Sequence, residues 1–237
     1  MRMRKKDWAR PELAACPYYT DTPEALKGNW QAQYAKKQPL HLDLGCGKCT
    51  FLAELSFRHP EINYLGIDQS PDVLGVARRN IESRFQEGER AVENVMLTAY
   101  DIEKIAAVLD EEKDQVERIY INFCNPWPKA RHHKRRLTHT IQLLKYRKLL
   151  CEDGEIWFKT DNDDLFLATL RYLEEAGFEI YAKTFDLHAE NDPENIESEH
   201  EVMFTAQGIR TKALKARMLP KIPQKPQETK DKEQESQ

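Results

Sequence analysis

The feature that most constrains the fold is an alternation of short apolar segments with longer amphipathic segments, which begins near residue 40. Short apolar segments bounded by turn residues are typical of buried strands, and longer segments with helical periodicity are typical of helices. Strands that alternate with helices form a parallel sheet covered on both faces. The sequence therefore predicts an α/β fold with a Rossmann-like, doubly wound, mostly parallel sheet, an antiparallel last strand and helices on both faces.

The boundaries of the elements follow from glycines, prolines and polar clusters between the periodic segments. The predicted strands are 40–44, 62–67, 95–100, 118–123, 155–159, 178–187 and 201–206, the last two as an antiparallel pair. The predicted helices are 48–58, 71–85, 102–109, 137–150, 162–175 and 210–219. Residues 1–38 are predicted to form a basic N-terminal arm, 39–219 the folded domain, and 220–237 a disordered tail, because the tail has almost no apolar residues.

Composition restricts the class of protein. A chain of 237 residues with 40% hydrophobic residues can bury one full core. Its net charge of −4 argues against a surface that coats nucleic acid everywhere, although one basic groove is compatible with it. The odd number of cysteines, the lack of a signal-peptide pattern and the lack of a membrane-span window predict a soluble protein of the reducing cytoplasm.

A glycine-rich loop joins the first predicted strand to the first helix of the domain. Asp43 precedes Gly45 and Gly47 there, while Asp68 ends the second strand and Asp101 follows the third. The loop is neither a P-loop nor a dinucleotide fingerprint. Carboxylates beside a glycine turn without a phosphate cradle suit a nucleoside that carries positive charge, such as S-adenosylmethionine, with Asp43 at its amino-acid end, Asp68 at the ribose and Asp101 at the adenine. The alternative is an ordinary strand-to-helix turn with capping acids.

The same loop contains a C-x-x-C pattern at Cys46 and Cys49. No second pair stands at zinc-ligand spacing, so we predict no metal site. A redox role stays open as the weaker alternative to two small residues that fill a tight turn.

A rigid turn and a basic run follow the predicted strand 118–123. Pro126 and Pro128 each fix φ and remove a backbone donor, and they flank Trp127, which either stacks on a base or fills the core. Dense positive charge in an acidic chain indicates a rim that faces a polyanion, while the simpler alternative is the solvated start of a helix. The run comprises Lys129, Arg131, His132, His133, Lys134, Arg135 and Arg136.

Five motifs together carry a resemblance to a known family. They are Asp-Leu-Gly-Cys-Gly at 43–47, Tyr-Leu-Gly-Ile-Asp at 64–68, Asn-Phe-Cys-Asn-Pro-Trp-Pro-Lys at 122–129, Arg-His-His-Lys-Arg-Arg-Leu at 131–137 and Phe-Lys-Thr-Asp-Asn at 158–162. From its first residues to about Gly208 the chain resembles the bacterial tRNA (guanine-N7-)-methyltransferases, a family of class I S-adenosylmethionine-dependent enzymes. The resemblance implies methyl transfer from S-adenosylmethionine to N7 of a variable-loop guanosine in tRNA.

The resemblance also implies roles for individual residues. The loop acids and Asn125, which stands before Pro-Trp-Pro, serve the cofactor, and Asn125 is the candidate catalytic residue. The run 131–136 lies against RNA. Asp161 and Glu201 are candidate acceptors for guanine N1–H and N2–H, and a helix cap is the equally weighted alternative for Asp161. The residues that serve the substrate are Lys129, Asp161, Ser198, Glu199, His200 and Glu201.

Three positions depart from the family pattern. Asn125 replaces the usual Asp, Cys49 replaces a usual Gly, and the late Thr-x-x-Glu segment reads Ser198-Glu-His-Glu, without its usual aromatic third residue. Guanine N7 carries no proton, so the transfer needs no general base and positioning dominates. If an amide in place of a carboxylate loses about 1–3 kcal/mol of electrostatic stabilisation, the rate falls roughly 5- to 150-fold.

Three other functions compete with the enzyme. A catalytically weakened or inactive tRNA-binding homologue is the main alternative, because of Asn125. A methyltransferase for a small metabolite is disfavoured, since such a substrate needs no phosphate track. A nicotinamide dehydrogenase lacks its fingerprint.

Overall fold

Eight strands form one sheet in a computed structural model that describes residues 6–220. The strands are β1 Tyr19–Thr20, β2 Leu40–Leu44, β3 Asn63–Asp68, β4 Val95–Ala99, β5 Val116–Asn122, β6 Leu150–Thr160, β7 Phe178–Thr184 and β8 Lys212–Met218. Their order across the sheet is β1-β4-β3-β2-β5-β6-β8-β7. Strand β8 is antiparallel to both β6 and β7, and the other pairs are parallel. The predicted fold class is confirmed.

Helices cover both faces of the sheet. They are α1 Ala9–Ala14, α2 Thr50–Arg58, α3 Pro71–Glu87, α4 Thr140–Leu149, α5 Asp163–Glu175 and α6 Glu199–Thr205. Successive side chains of a strand point to opposite faces. Tyr120 of β5 is paired with Trp157 of β6, and its ring contacts Phe51 of α2. Phe158, the next residue of β6, points to the opposite face and stacks on Phe166 of α5. Helices α2 and α5 therefore lie on opposite faces, and none of the helices in residues 6–220 is long and apolar enough to span a bilayer.

The parallel register brings the carboxyl ends of the central strands to one edge. Strand β2 pairs with β3 and β5 on its two sides, and β6 pairs with β5 up to Asn122 opposite Lys159. Ligands of open α/β sheets bind at such an edge. All the segments that the sequence singled out, apart from the late segment around residue 200, leave strands there.

Two predicted elements near the C-terminus are wrong. The segment 201–206 is not a strand but lies in α6, because Ser198 and Glu201 form a capping box that starts a helix. The segment 210–219 is not a helix but contains β8, where Lys212, Leu214 and Ala216 are buried in alternation. The antiparallel pair exists, but β8 is the partner of β7. The predicted helix 102–109 is a 3-10 turn, Ile102–Ala107.

The described part of the N-terminal arm packs on the domain. Helix α1 lies on α3, where Arg10 pairs with Asp72 at 3.0 Å and Glu12 accepts hydrogen bonds from Arg78 and Arg79. Trp30 is fully buried and donates its indole N–H to the carbonyl of Val108 at 2.7 Å. The predicted basic start of the arm, residues 1–5, and the tail beyond residue 220 lie outside the described residues.

Replacing Gly75 with Ala should lower stability and loosen α1. An added Cβ would stand 2.4 Å from the carbonyl oxygen of Ala9, and overpacking of this kind costs about 1–3 kcal/mol. Helix propensity alone would favour Ala by about 1 kcal/mol, so the sign of the change isolates the clash. We expect a lower urea midpoint and faster proteolysis after Arg10. Ser83→Ala, on the exposed face of α3, is the control. A Gly75→Ala protein more stable than the parent would contradict this packing.

Candidate active site

The glycine loop between β2 and α2 is held against the end of β3. Gly45 and Gly47 both have positive φ, at 80° and 55°. The backbone N–H of Gly45 donates to the carbonyl of Ile67 at 2.8 Å, and that of Gly47 to the carboxylate of Asp68 at 3.2 Å. Cys49 also has a positive φ of 56°, a conformation that favours glycine. The loop thus keeps the tight shape of a glycine turn, although one of its left-handed positions carries a side chain.

Two buried carboxylates stand at this loop. Asp43 is 2% exposed, and within residues 6–220 its carboxylate accepts no hydrogen bond. Burial raises its pKa to about 7, and the nearby charge of Asp68 adds to the shift. Burial also raises the pKa of Asp68, against the effect of N–H donors from Ser70 and Gly47. A cationic or donor-rich ligand would stabilise the ionised form of both acids.

The third acid of the row, Asp101, follows β4. Its Oδ1 accepts hydrogen bonds from the Gln69 side chain and from the backbone N–H of Glu103, both at 3.1 Å. Asp101 therefore caps the 3-10 turn after β4. This agrees, for Asp101, with the alternative that the acids of this row are capping residues. The position is still the third carboxylate in line after those of β2 and β3.

The thiols of the C-x-x-C pattern are both free. Burial raises the pKa of Cys46 and of Cys49. Since the thiolate is the reactive form, these surroundings disfavour redox chemistry and metal binding. The pair fits the interpretation of small residues that fill the turn.

The Asn125 turn is bracketed by two aromatic residues in left-handed backbone conformations, Phe123 at φ 51° and Trp127 at φ 43°. The exposed side chain of Asn125 accepts a hydrogen bond from the Trp127 N–H at 3.0 Å, which closes the turn. Trp127 does not fill the core. It is half-buried, with His132 edge-on at 5.7 Å and the Arg135 guanidinium 5.2 Å from the ring centre.

The basic run forms a 3-10 turn, Ala130–Arg135, rather than the start of a helix. Lys129, Arg131, Lys134 and Arg135 are exposed and His132 and His133 are half-buried. Arg136 differs, since it is 3% exposed and donates a hydrogen bond to the carbonyl of Pro126 at 2.8 Å. In this conformation Arg136 braces the turn, and it does not present a surface charge to RNA.

Asp161 follows β6 and is half-buried. The cap of α5 is Asn162, whose side chain accepts a hydrogen bond from the Leu165 N–H at 2.8 Å. The capping alternative for Asp161 is therefore wrong. Its backbone carbonyl accepts a hydrogen bond from Lys212, but its carboxylate has no hydrogen-bond or ion-pair partner in the described part of the chain. This acid remains available to a ligand.

Glu201 is fully buried and already paired. Its carboxylate lies 2.9 Å from Nζ of Lys159 and accepts a hydrogen bond from the Asn195 amide at 2.8 Å. Ser198 completes a capping box with it, in which the Ser198 hydroxyl accepts from the Glu201 N–H at 3.2 Å. Burial lowers the pKa of Lys159. The predicted contact between Glu201 and guanine requires this network to open. Sequence reasoning missed Asn195, which stands in a polar loop without any pattern.

A cavity of about 360 Å³ lies on the α2 face of the sheet, between Phe51, Trp157 and the loop 187–196. It reaches the candidate site at Asn122, Lys159 and Asn195, and it does not include the glycine loop.

Comparison with known proteins decides the family. Residues 37–214 match a family model described as a putative methyltransferase. A protein of Clostridium beijerinckii named tRNA (guanine-N(7)-)-methyltransferase is 51% identical over 214 residues, which cover 90% of this chain and 97% of the relative. One of Clostridium perfringens with the same name is 51% identical over 220 residues, covering 92% of this chain and 100% of the relative. The chain belongs to the tRNA (guanine-N(7)-)-methyltransferase family.

Solved structures with the same fold are more distant. An antibiotic-related methyltransferase superposes with a TM-score of 0.54 at 18% identity, covering 76% of this chain and 86% of its own. The 16S rRNA methyltransferase KamB superposes with a TM-score of 0.54 at 9% identity, covering 92% and 96%. These two confirm the Rossmann-like methyltransferase architecture for this member of the tRNA (guanine-N(7)-)-methyltransferase family.

Proposed function

We propose that this protein transfers a methyl group from S-adenosylmethionine to N7 of a guanosine in tRNA, and that the target lies in the variable loop. The observation that carries the proposal is the 51% identity with tRNA (guanine-N(7)-)-methyltransferases over nine-tenths of the chain. The alternative of an inactive tRNA-binding homologue finds no support in these relatives. Asn125 then changes the rate of an active enzyme.

The residues at the glycine loop fit S-adenosylmethionine. Asp43 is a buried carboxylate without a hydrogen-bond partner in residues 6–220, and a cationic ligand would keep it ionised. The positive φ of Gly45 and Gly47 would let the backbone approach the ligand closely, while Asp68 would bind the ribose and Asp101 the adenine. S-adenosylmethionine, when bound, would supply an electrophilic methyl group, and the C–S bond would break as the guanine N7 lone pair forms the new N–C bond.

The remaining site residues would hold the base for this transfer. N7 carries no proton, so no residue needs to act as a general base. The free carboxylate of Asp161 can accept hydrogen bonds from guanine N1–H and N2–H, which directs N7 toward the cofactor. The amide of Asn125, at the turn between β5 and the basic run, would orient the base or the methionine part of the cofactor. Positioning of this kind is the main source of rate for such a transfer.

A methyl-transfer assay tests the proposal. Labelled S-adenosylmethionine is incubated with unmodified tRNA that contains a variable-loop guanosine, and with the same tRNA in which that guanosine is replaced by adenosine. We expect label to enter only the first tRNA, as 7-methylguanosine. Binding of cofactor and tRNA without any transfer would refute the enzymatic function and favour the binding protein.

The exposed cations of the basic run should contact phosphates. Replacing Lys129, Arg131 or Arg135 with Gln should reduce the slope of log affinity for tRNA against log salt by about 0.7–0.9 for each phosphate that the protein no longer neutralises. Salt titrations of tRNA binding measure that slope. Lys37→Gln, at an exposed position before β2 on the opposite edge of the sheet, should leave it unchanged. Equal slopes for the parent and all three variants would contradict the phosphate track.

Cofactor affinity should rise with pH through neutrality. In the protein without cofactor the pKa of Asp43 is about 7. Because a cationic ligand binds the ionised carboxylate, binding near neutral pH releases a proton. The Kd for S-adenosylmethionine should therefore be about tenfold lower at pH 8 than at pH 6. Calorimetry in buffers of different ionisation heat measures both the Kd and the proton released. Asp43→Asn should flatten the dependence.

The stability of the free protein should change in the opposite direction. Because folding raises the pKa of Asp43 from 3.8, its contribution to stability is full below pH 3.8 and is lost as pH rises through about 7.

A parent protein whose cofactor Kd is the same at pH 6 and pH 8 would contradict the assignment of Asp43.

A further inference from the structure

The cavity on the α2 face of the sheet has an aromatic floor. Its volume of about 360 Å³ lies in the range of small-molecule sites. Tyr120, Trp157 and Lys215 form one row of the floor, since Tyr120 is paired with Trp157 and Trp157 with Lys215 across the sheet. Phe51 of α2 forms a side wall, with its ring centre 5.3 Å from that of Tyr120. Planar rings therefore line two sides of the cavity.

The roof of the cavity is the loop 187–196, which is held at both ends. At its start, the backbone N–H of Leu187 donates to the carbonyl of Thr211, the residue before β8, at 2.8 Å. Beyond its end, the carboxylate of Glu199 in α6 lies 2.6 Å from Nζ of Lys48, close to the start of α2. Both ends of the roof are thus tied to the elements that form the floor and the wall.

Two hydrogen-bond donors at the floor have no acceptor. Nζ of the half-buried Lys215 lies 4.0 Å from the centre of the Trp157 ring, and in residues 6–220 it has no hydrogen-bond or ion-pair partner. The side-chain nitrogen Nδ2 of Asn122 is buried and also has no partner there. Because a buried donor without an acceptor is costly, the floor favours a ligand that brings acceptor atoms.

The acids of the roof do not neutralise Lys215. Glu190 and Glu194 are exposed, and Asp192 is half-buried. Glu190 accepts a hydrogen bond from the hydroxyl of Thr184 at 2.8 Å, and Asp192 accepts one from the backbone N–H of Glu194 at 2.9 Å. These two carboxylates stabilise the roof itself. The aromatic row of the floor therefore carries a positive charge without a counter-charge.

We propose that this cavity binds a small aromatic carboxylate, with its ring packed against Phe51 and Trp157 and its carboxylate on the ammonium of Lys215. The amide of Asn122 would donate to a further acceptor atom of the ligand. A carboxylate on an ammonium forms a charge-assisted hydrogen bond, which is about twice as strong as a neutral one. A rigid ring supplies apolar contact and loses little conformational freedom on binding. The proposal does not depend on methyl transfer, because the cavity does not include the glycine loop.

The roof also links the cavity to the buried pair of Lys159 and Glu201. Nζ of Lys159 donates to the carbonyl of Ile196 at 3.0 Å, and the amide of Asn195 donates to the carboxylate of Glu201 at 2.8 Å. Ile196 and Asn195 both line the cavity. A ligand that binds only when the roof is closed would therefore slow the local opening that frees Glu201.

Calorimetric titration with 2-naphthoate tests the site, and the uncharged naphthalene-2-carboxamide is the matched probe. We expect one 2-naphthoate to bind per chain with a Kd at or below about 1 mM. The carboxamide should bind about tenfold more weakly. Lys215→Gln should remove this difference, and Ala213→Phe, which fills part of the floor, should abolish the binding of both probes. Lys36→Gln, at an exposed position outside the cavity, should bind both probes as the parent does.

Hydrogen exchange gives a second readout on the same complexes. Saturating 2-naphthoate should slow the exchange of amides in 195–205 in the parent. No saturable binding, equal affinity for the acid and the amide, or a preference that survives in Lys215→Gln would overturn the proposal. Unchanged binding by a folded Ala213→Phe protein would place the probe elsewhere and overturn it as well. If Ala213→Phe does not fold, the Lys215→Gln comparison and the protection of 195–205 decide the result.

Discussion

Asn125→Asp should raise turnover roughly 5- to 150-fold, which corresponds to about 1–3 kcal/mol of transition-state stabilisation. Methyl transfer to N7 moves positive charge onto the purine, and a carboxylate stabilises that charge better than an amide. The turn should survive the change, because an Asp side chain can accept the same hydrogen bond from the Trp127 N–H that Asn125 accepts at 3.0 Å. Single-turnover methyl transfer to tRNA, with a separate measurement of cofactor affinity, gives the result.

A matched variant separates this local effect from the added charge. Asn191→Asp introduces the same charge at an exposed loop position, and it should change neither turnover nor cofactor affinity. If Asn125→Asp also alters neither quantity, Asn125 does not orient the base or the methionine part of the cofactor. Its role would then be limited to closing the turn before Trp127.

Breaking the buried pair of Lys159 and Glu201 should be the most damaging change to stability. The two groups are 2.9 Å apart, with Glu201 fully buried and Lys159 15% exposed. Glu201→Gln leaves a buried ammonium without a counter-charge, and removal of one partner of such a pair costs about 3–5 kcal/mol. We expect urea unfolding to show this loss, and hydrogen exchange to show that α6 opens first, because Glu201 is also part of its capping box.

The double variant Lys159→Met with Glu201→Gln should lose less stability than the sum of the two single variants. Removing both charges leaves no uncompensated ion, and coupling of contacting residues amounts to about 0.5–3 kcal/mol. The exposed pair of Lys148 and Glu111, 3.2 Å apart, is the control, and its single variants should change stability by less than about 1 kcal/mol. Additive losses for the buried pair would show that it is not coupled.

The central strands could be predicted because their signal is local. The segment 40–44 lies between turn residues and alternates Leu with polar residues, which predicted a strand, and β2 spans the same five residues. The two elements assigned wrongly lie near the C-terminus, where local signals conflict. Ser198 and Glu201 have the spacing of a capping box, which marks the start of a helix. Both residues were assigned to the substrate instead, and a strand was predicted at 201–206. Strand β8 begins with residues of high helix propensity at 212–215, and its pairing with β6 and β7 overrides that preference.

The candidate site divides in the same way. The glycine loop, its acids and the basic run could be found from sequence, since each is a short motif at the end of a strand. The sequence could not show whether each of these side chains is free to contact a ligand. The uncommitted carboxylate of Asp161, the buried Arg136 and the paired Glu201 differ in availability because of partners that are distant in the chain or depend on the turn conformation.

The sequence by itself determined the alternating fold, the edge at which the site lies and the family, because periodicity and short motifs are properties of neighbouring residues. Only the tertiary structure decided that Phe123 and Trp127 adopt left-handed backbone conformations around Asn125, and that His200 stacks on Phe123 although the two are far apart in the chain. Such packing depends on how a strand end, a proline turn and a late helix come together, and no local pattern of residues specifies it.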